Sequence, residues 1–246
     1  MLFTLYTDNH RGSHETSIIK YADDTAIVGL IKDSELDYKQ AVCKFVDDCH
    51  SDQLELNVKK TKELIIDFRR KPSTIVPIEI KNKVIETVNE YKYLGLIISK
   101  DLTWKKNTQL IKAKAMKKLY FLRTLKKFEV SNKILKTFYD TIIGSTLTFS
   151  IVIWGGAITQ NCLKKLKKIE KYGKKLTQKD ITPLLNLHRQ RIIKFAKKII
   201  NDPAHPLAHE FQTLPSGRRL RTPKFRTTRF QNSFIPNSIK ILNCYS

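Results

Sequence analysis

Asp23 and Asp24 stand side by side between two β-rich runs, in the segment 18–30, IIKYADDTAIVGL. Carboxylates a few ångströms apart repel one another, so keeping both ionised is costly. A divalent cation removes the penalty. Mg²⁺ takes oxygen ligands from one or two carboxylates and completes its shell with water and substrate phosphates. A pair of such ions activates an attacking hydroxyl and stabilises a departing phosphate group. The chemistry open to Asp23 and Asp24 is therefore Mg²⁺-assisted phosphoryl transfer, and a solvated Asp-Asp turn is the competing reading. His50 and Asp52 offer a different start, because His-x-Asp opens the facial triad of iron oxygenases. The later histidines, His188, His205 and His209, fall on a basic helix or a Pro-rich loop rather than on a barrel strand. Cys43, Cys49, Cys162 and Cys244 show no C-x₂-C spacing and read as reduced thiols with no zinc site.

The elements that must position these residues follow from periodicity. The runs flanking Ala22, Asp23 and Asp24 predict a tight hairpin with the acids at its tip. Asp33 or Ser34 then offers an N-cap. Tyr38, Val42, Phe45, Val46 and Cys49 recur on one face of an amphipathic helix. Strand-like runs follow at 63–68, 75–80, 84–88 and 91–98, which predicts a helix packed on a mostly antiparallel sheet, an α+β arrangement. After residue 100 the pattern turns helical. Ile111, Ala115, Leu119, Leu122 and Leu125 form a stripe opposite a Lys-rich face. Further helices are expected after Ser131 or Asn132, over 160–175 and over 184–200, ending before Pro203 and Pro206. The Arg-rich remainder, with Pro215, Gly217, Pro223 and Pro236, is expected to be extended or poorly ordered. These changes of character divide the chain into 1–100, 101–211 and 212–246.

Charge separates the same regions. The chain of 246 residues carries a formal net charge of +23. Residues 1–100 sum to −1 and residues 101–246 to +24. Self-repulsion at that density opposes compaction, and a polyanion is the natural compensation. Lys112, Lys114, Lys117, Lys118, Lys126 and Lys127 lie on the first helix of the basic part. Lys164, Lys165, Lys167, Lys168, Lys171, Lys174 and Lys175 crowd a later one. Arg218, Arg219, Arg221, Lys224, Arg226 and Arg229 dot the tail, with Phe225 and Phe230 between them. Interleaved cations and aromatics suit contact with phosphates and stacking on bases. Nucleic acid is thus favoured over an anionic membrane or a merely solvated lysine face. Lys-rich stretches also read as nuclear localisation signals. The longest uncharged stretch, Thr141–Leu163, is broken by glycines and hydroxyl residues, so it predicts buried helix rather than a membrane span. The opening MLFTLYTDN lacks the basic region of a signal peptide, and an intracellular site, nuclear or cytoplasmic, is expected.

Four short motifs, in order, carry a family resemblance. Tyr21-Ala22-Asp23-Asp24 resembles motif C of reverse transcriptases, in the form typical of non-LTR retrotransposons. Asn57-Val58-Lys59-Lys60-Thr61 resembles motif D. Tyr93-Leu94-Gly95 resembles motif E, the primer grip, and Leu102-Thr103-Trp104 resembles the entry to the thumb. The ending 226–243, RTTRFQNSFIPNSIKILN, is similar to the C-terminal tail of many such elements. Each motif is weak alone, and their order and spacing give them force. The resemblance implies a partial polymerase palm (β-hairpin, helix, antiparallel strands), then an all-α basic thumb, then the tail. It implies that Asp23 and Asp24 are metal ligands for Mg²⁺ in the intact parent enzyme, with weak or absent binding expected of this chain alone, and that Tyr21 lies near the primer terminus. It makes Lys60 a candidate general acid beside the pyrophosphate. Tyr93, Leu94 and Gly95 would hold the primer. Lys112, Lys117, Lys118, Lys126, Lys164, Lys168, Arg218, Arg219 and Arg221 would contact an RNA–DNA template–primer hybrid.

The family's polymerases need a further Asp, from motif A, which lies well N-terminal to motif C. Residues 1–6 align just after motif B, and Asp8 and Glu15 are the only acids before Asp23. The chain alone is therefore expected to be catalytically incomplete, with deoxynucleotide a substrate of the intact parent enzyme. Removing the motif A strand would leave one edge of the hairpin open, and a marginally stable palm. Residues 91–150 are also similar to a stretch named for the N-terminal region of AlkB-homologue tRNA-modifying proteins. The oxygenase or methyltransferase chemistry that this name implies finds no ligand set and no glycine-rich methyl-donor fold in the sequence. A nucleic-acid-binding module without chemistry is the remaining alternative.

Overall fold

A run of alternating residues builds the first pair of strands. β1 (Thr16–Tyr21) and β2 (Asp24–Gly29) pair antiparallel, with Tyr21 opposite Asp24 and Ile18 opposite Ile27. The computed structural model describes residues 16–31, 35–71 and 75–244, and these fall into two compact units, Met1–Tyr91 and Lys92–Ser246. The N-cap expected at Asp33 or Ser34, and the acids Asp8 and Glu15, lie outside the described residues.

In the first unit, the side of the hairpin bearing Ile18, Ile27 and Gly29 rests on helix α1 (Leu36–Ser51). Gly29 is required there, because a Cβ would come within 2.5 Å of the Tyr38 ring. Val42, Phe45 and Cys49 form the buried stripe of α1. Val42 meets Ile78, Ile80 and Ile85 to make a small core. The remaining strands are two residues long. β3 (Lys62–Glu63) pairs parallel with β6 (Glu86–Thr87), and β4 (Glu79–Ile80) pairs antiparallel with β5 (Lys83–Val84). Burial pushes the Glu63 carboxyl above its usual range, and the Thr87 hydroxyl, donating at 3.2 Å, opposes that shift.

The single mostly antiparallel sheet expected here is not formed. The described strands make separate two-stranded sheets, one of them parallel. The reason is local. Lys81 and Asn82 both take positive φ, 51° and 59°, and reverse the chain in two residues as a type I′ turn does. Leu94 and Gly95 do the same at 45° and 84°. Among the described residues each strand pairs with a single partner.

The second unit begins within the hairpin of β7 (Glu90–Tyr93) and β8 (Leu96–Ser99). Its helices are α2 (Lys105–Lys127), α3 (Asn132–Phe138), α4 (Ser145–Leu147), α5 (Ile151–Trp154), α6 (Gln160–Thr177) and α7 (Leu184–Ile200). A π-helical stretch, Tyr139–Gly144, joins α3 to α4. Ile111, Ala115, Leu119 and Leu122 of α2 enter one core with Leu135, Tyr139, Ile143, Trp154, Leu166 and Ile169. Gly173 lets α6 close on the Tyr139 ring, which a Cβ would meet at 2.1 Å. At the next corner the Glu170 carboxylate accepts from the backbone N–H of Leu184 and so serves the first turn of α7.

Two boundaries differ from expectation. The units divide after Tyr91 rather than near residue 100. The cause is Leu96, which is buried in the helical core, while the Asn107 side chain of α2 accepts from the Ile97 N–H. Residues 212–244 are also not an extended tail. They include α8 (Thr228–Gln231) and α9 (Phe234–Asn243). Ile239 of α9 is fully buried with Ala196, Ile199 and Phe211. Four apolar residues between positions 211 and 242, Phe211, Phe234, Ile239 and Leu242, supply enough buried surface to hold the segment down.

Candidate functional site

The acids stand where a two-residue turn puts them. Ala22 and Asp23 form the turn between β1 and β2, and Asp24 opens β2. Ala22 takes a φ of 52°. Hairpin turns that match strand twist need positive φ at this first turn position, usually supplied by glycine or asparagine. Tyr21, Asp23 and Asp24 are all exposed. Tyr21 and Asp24, a register pair, share the hairpin face that carries Ile19 and Val28. That face points away from the α1 side, and Ile19, Tyr21 and Val28 are 50%, 65% and 55% exposed. An open apolar face with carboxylates at its tip is suited to receive another chain or a ligand.

Two neighbouring carboxylates meet the minimum that Mg²⁺ asks of a protein when substrate phosphates and water complete its shell. Asp23 and Asp24 fit that half of a site. Among the described residues no group of three or more His, Cys, Asp and Glu side chains comes together.

Lys60 occupies a second exposed turn of the same unit. The Asn57 side chain makes that turn, its Oδ1 accepting from the Lys60 N–H at 3.1 Å. The Asn57 carbonyl accepts from the Thr61 N–H and hydroxyl, both at 3.0 Å. The Asn-x-x-Lys-Thr spacing is thus a self-contained turn that leaves the Lys60 ammonium facing solvent. Tyr93, Leu94 and Gly95 belong to the other hairpin. Gly95 lies against Phe149, whose ring a Cβ would meet at 3.2 Å, and Leu94 projects from the turn 40% exposed. The entry to α2 is fixed by Asp101. Its carboxylate accepts from the Ser99 hydroxyl at 2.6 Å and the Thr103 N–H at 3.1 Å. These bonds, the Ser99 one foremost, hold its carboxyl below the usual range.

The expected nucleic-acid contacts divide into two sets. Lys112, Lys117, Lys164, Lys168, Arg218, Arg219 and Arg221 are exposed. Lys118 and Lys126 are engaged within the unit instead. Lys118 donates to the Ile142 carbonyl and the Thr146 hydroxyl, and Lys126 donates to Asn132. Both sit at the edge of the α2 stripe, where the ammonium finds a helix carbonyl or cap before it finds solvent.

The arginines at 218, 219 and 221 stand on a formed hairpin. Gly217 donates to the Leu214 carbonyl, Leu214 to Arg219, and Arg221 to Gln212. Pro215 sets the turn and Gly217, at a φ of 68°, closes it. Asn243 of α9 pins the hairpin through both of its amide atoms to the backbone of Leu220, at 2.9 and 3.0 Å. Sequence reasoning passed over Asn243, and also Lys197 of α7, which faces this hairpin across a depression. The available signal was Pro215-Ser216-Gly217, a turn sequence in its own right.

His50 is exposed in the last turn of α1, and Asp52 is its C-cap. Cys43, Cys49, Cys162 and Cys244 are free thiols. No helix among the described residues is long and apolar enough to cross a membrane.

Comparison with known proteins adds two similarities. A probable RNA-directed DNA polymerase from transposon X-element of Drosophila melanogaster is 27% identical over 127 residues. The match takes in 50% of this chain and 13% of the relative's length. The family described as alkylated DNA repair protein alkB homolog 8, N-terminal, matches residues 104–145. Those residues are α2, α3 and the π-helical stretch, and they contain no histidine or cysteine. No solved structure matches the chain.

Proposed function

We propose that this chain is a C-terminal portion of an RNA-directed DNA polymerase of a non-LTR retrotransposon. Its first unit would supply part of the palm, and its second the thumb and a basic surface for an RNA–DNA hybrid. The observation that carries the reading is the exposed Asp23-Asp24 pair at a hairpin tip, on a strand face whose Ile19, Tyr21 and Val28 are at least half exposed. The partial similarity to a transposon polymerase supports it. So does the order of the Asn57 turn, the Leu94–Gly95 turn and the Asp101 entry turn along the chain.

In the reaction so assigned, the 3′-hydroxyl oxygen of the primer attacks the α-phosphorus of a deoxynucleotide, and pyrophosphate leaves. Asp23 and Asp24 would hold Mg²⁺, which would supply positive charge to the reacting phosphates. Tyr21, on the same face as Asp24, borders the primer end. Lys60 offers a proton to the departing pyrophosphate. Leu94, at the tip of its turn, presents an apolar contact to the primer strand. A further carboxylate must join the pair before transfer proceeds. The AlkB-homologue name supplies no chemistry here, because its matched helices hold no metal-ligating histidine or cysteine.

A binding module without chemistry is the second reading, favoured by the concentration of cations in the second unit. Fluorescence anisotropy with a labelled RNA–DNA hybrid tests what both share. Affinity is expected to fall roughly 10³–10⁵-fold between about 50 and 200 mM salt, as for six to ten phosphate contacts. Flat salt dependence would rule out both. Primer extension with Mg²⁺ is expected to yield no product from this chain alone. Product that Asp23→Ala abolishes would show that no further carboxylate is needed.

A further inference from the structure

Between α7 and the hairpin 212–221 lies an open depression of about 320 Å³. Lys197, Arg218 and Arg219 line it, over a floor that includes Ile200, Leu220 and Leu242. No acidic side chain lines it. None of the three cations forms an ion pair with an acid among the described residues. Like charges gathered around one concavity repel, and a bound anion relieves that repulsion.

The fold also invests in holding them there. Arg218 and Arg219 follow the Pro215–Gly217 turn, so their backbone positions are set by the hairpin bonds to Leu214. Leu220, the next residue, is clasped on both its N–H and its carbonyl by the Asn243 amide. Asn243 ends α9, and α9 is anchored by the buried Ile239 against Ala196 and Ile199 of α7, the helix that carries Lys197. One packed cluster thus fixes the backbone from which all three cations extend. A loose basic tail would need none of this.

We propose that this depression is a phosphate-binding clamp for the nucleic-acid backbone, with Lys197, Arg218 and Arg219 as the contacts and Asn243 as the positioning residue. Arginine suits phosphate because its planar donors can bind two oxygens at once. The inference rests on the proposed nucleic-acid partner and adds a built site to what is otherwise a diffuse charged surface. It also separates Arg218 and Arg219 from Arg221, which does not line the depression.

The test is the slope of log affinity against log salt for the full chain on a labelled RNA–DNA hybrid. Lys197→Gln, Arg218→Gln and Arg219→Gln are each expected to reduce the slope by about 0.7–0.9, the value of one phosphate contact. Lys240→Gln, an exposed cation of α9 outside the depression, is the control and is expected to leave the slope near that of the wild type. Asn243→Ala removes no charge and is expected to reduce the slope by more than one contact, because it frees the hairpin. Its circular dichroism spectrum shows whether α9 survives. The three glutamine variants, all at exposed positions, decide the matter if it does not. Slopes for the glutamine variants equal to that of Lys240→Gln would overturn the clamp while leaving hybrid binding intact. A wild-type chain without salt-dependent hybrid binding would instead overturn the reading on which the clamp rests. Loss of binding to phosphatidylserine vesicles, with hybrid binding unchanged, would assign the site to a lipid headgroup and refute the proposal.

Discussion

Gly173→Ala sets two well-characterised effects against each other. Gly173 lies inside α6, where alanine is favoured over glycine by about 1 kcal/mol. Propensity alone therefore predicts stabilisation. The packing predicts the reverse. A Cβ at this position would stand 2.1 Å from Tyr139 Cε2, 2.6 Å from Tyr139 Cδ2 and 2.9 Å from Ile181 Cδ1. Ordinary carbon contacts lie at about 3.5–4.0 Å, so the ring must retreat by more than an ångström. It has nowhere to go. Tyr139 is 2% exposed, and Leu135, Ile143, Leu166 and Ile169 in the same core are 0–1% exposed. Overpacking of a filled core costs about 1–3 kcal/mol, and an immobile aromatic ring belongs at the upper end. The net expectation is a loss of about 1–2 kcal/mol, or about 2–8 °C in Tm for a protein of this size. Thermal unfolding followed by circular dichroism measures it. Tyr139→Leu should cancel much of the penalty when combined with Gly173→Ala, and a double-mutant cycle reads that coupling. An unchanged or raised Tm in Gly173→Ala would refute the packing argument.

His188 and Leu94 give two further tests. His188 is 7% exposed, its Nε2 has no hydrogen-bond partner, and burial holds its pKa below the ordinary 6.5. The unfolded chain thus takes up a proton before the folded one does. Stability is full above pH 6.5 and is expected to decline as pH falls through that value toward the lowered one. The decline should shrink in His188→Gln, and a Tm that is level from pH 7.5 to about 5 would contradict the burial argument. Leu94 holds a φ of 45°, a conformation that costs a non-glycine residue about 1–2 kcal/mol. Leu94→Gly should raise Tm, since the strain relieved exceeds the roughly 0.5–1 kcal/mol entropic cost of glycine. The same change should weaken hybrid binding if Leu94 touches the primer, as strain is often kept where it serves a site. A lower Tm would show that the turn is relaxed with leucine.

What was legible in the sequence was periodic. The α2 stripe needs only its own spacing, and Ile111, Ala115, Leu119 and Leu122 are buried where the 3.6-residue repeat places them. The hairpin of β1 and β2 is local in the same sense. The features that escaped depend on partners far along the chain. Leu96 reads as one more strand residue until its burial among helices is known. Phe211 and Ile239 look stranded in an Arg- and Pro-rich tail until α7 is seen between them. Lys118 and Lys126 are indistinguishable by sequence from Lys112 and Lys117, because only the carbonyl of Ile142 and the side chain of Asn132 decide which ammonium turns inward. The paired acids of the candidate site stand out in the sequence because they are adjacent and interrupt two β-rich runs. Their turn leaves both exposed.

The proposed chemistry requires Asp23 and Asp24 to be metal ligands. Iron-directed cleavage of the chain tests this without requiring turnover. Fe²⁺ substitutes for Mg²⁺ at a carboxylate site and, with ascorbate and peroxide, cuts the backbone beside the ion. In the presence of an RNA–DNA hybrid and a deoxynucleotide, cutting is expected at the turn between β1 and β2, suppressed by excess Mg²⁺ and lost in Asp23→Ala. Cutting that ignores the turn, or that persists unchanged in Asp23→Ala, would contradict it.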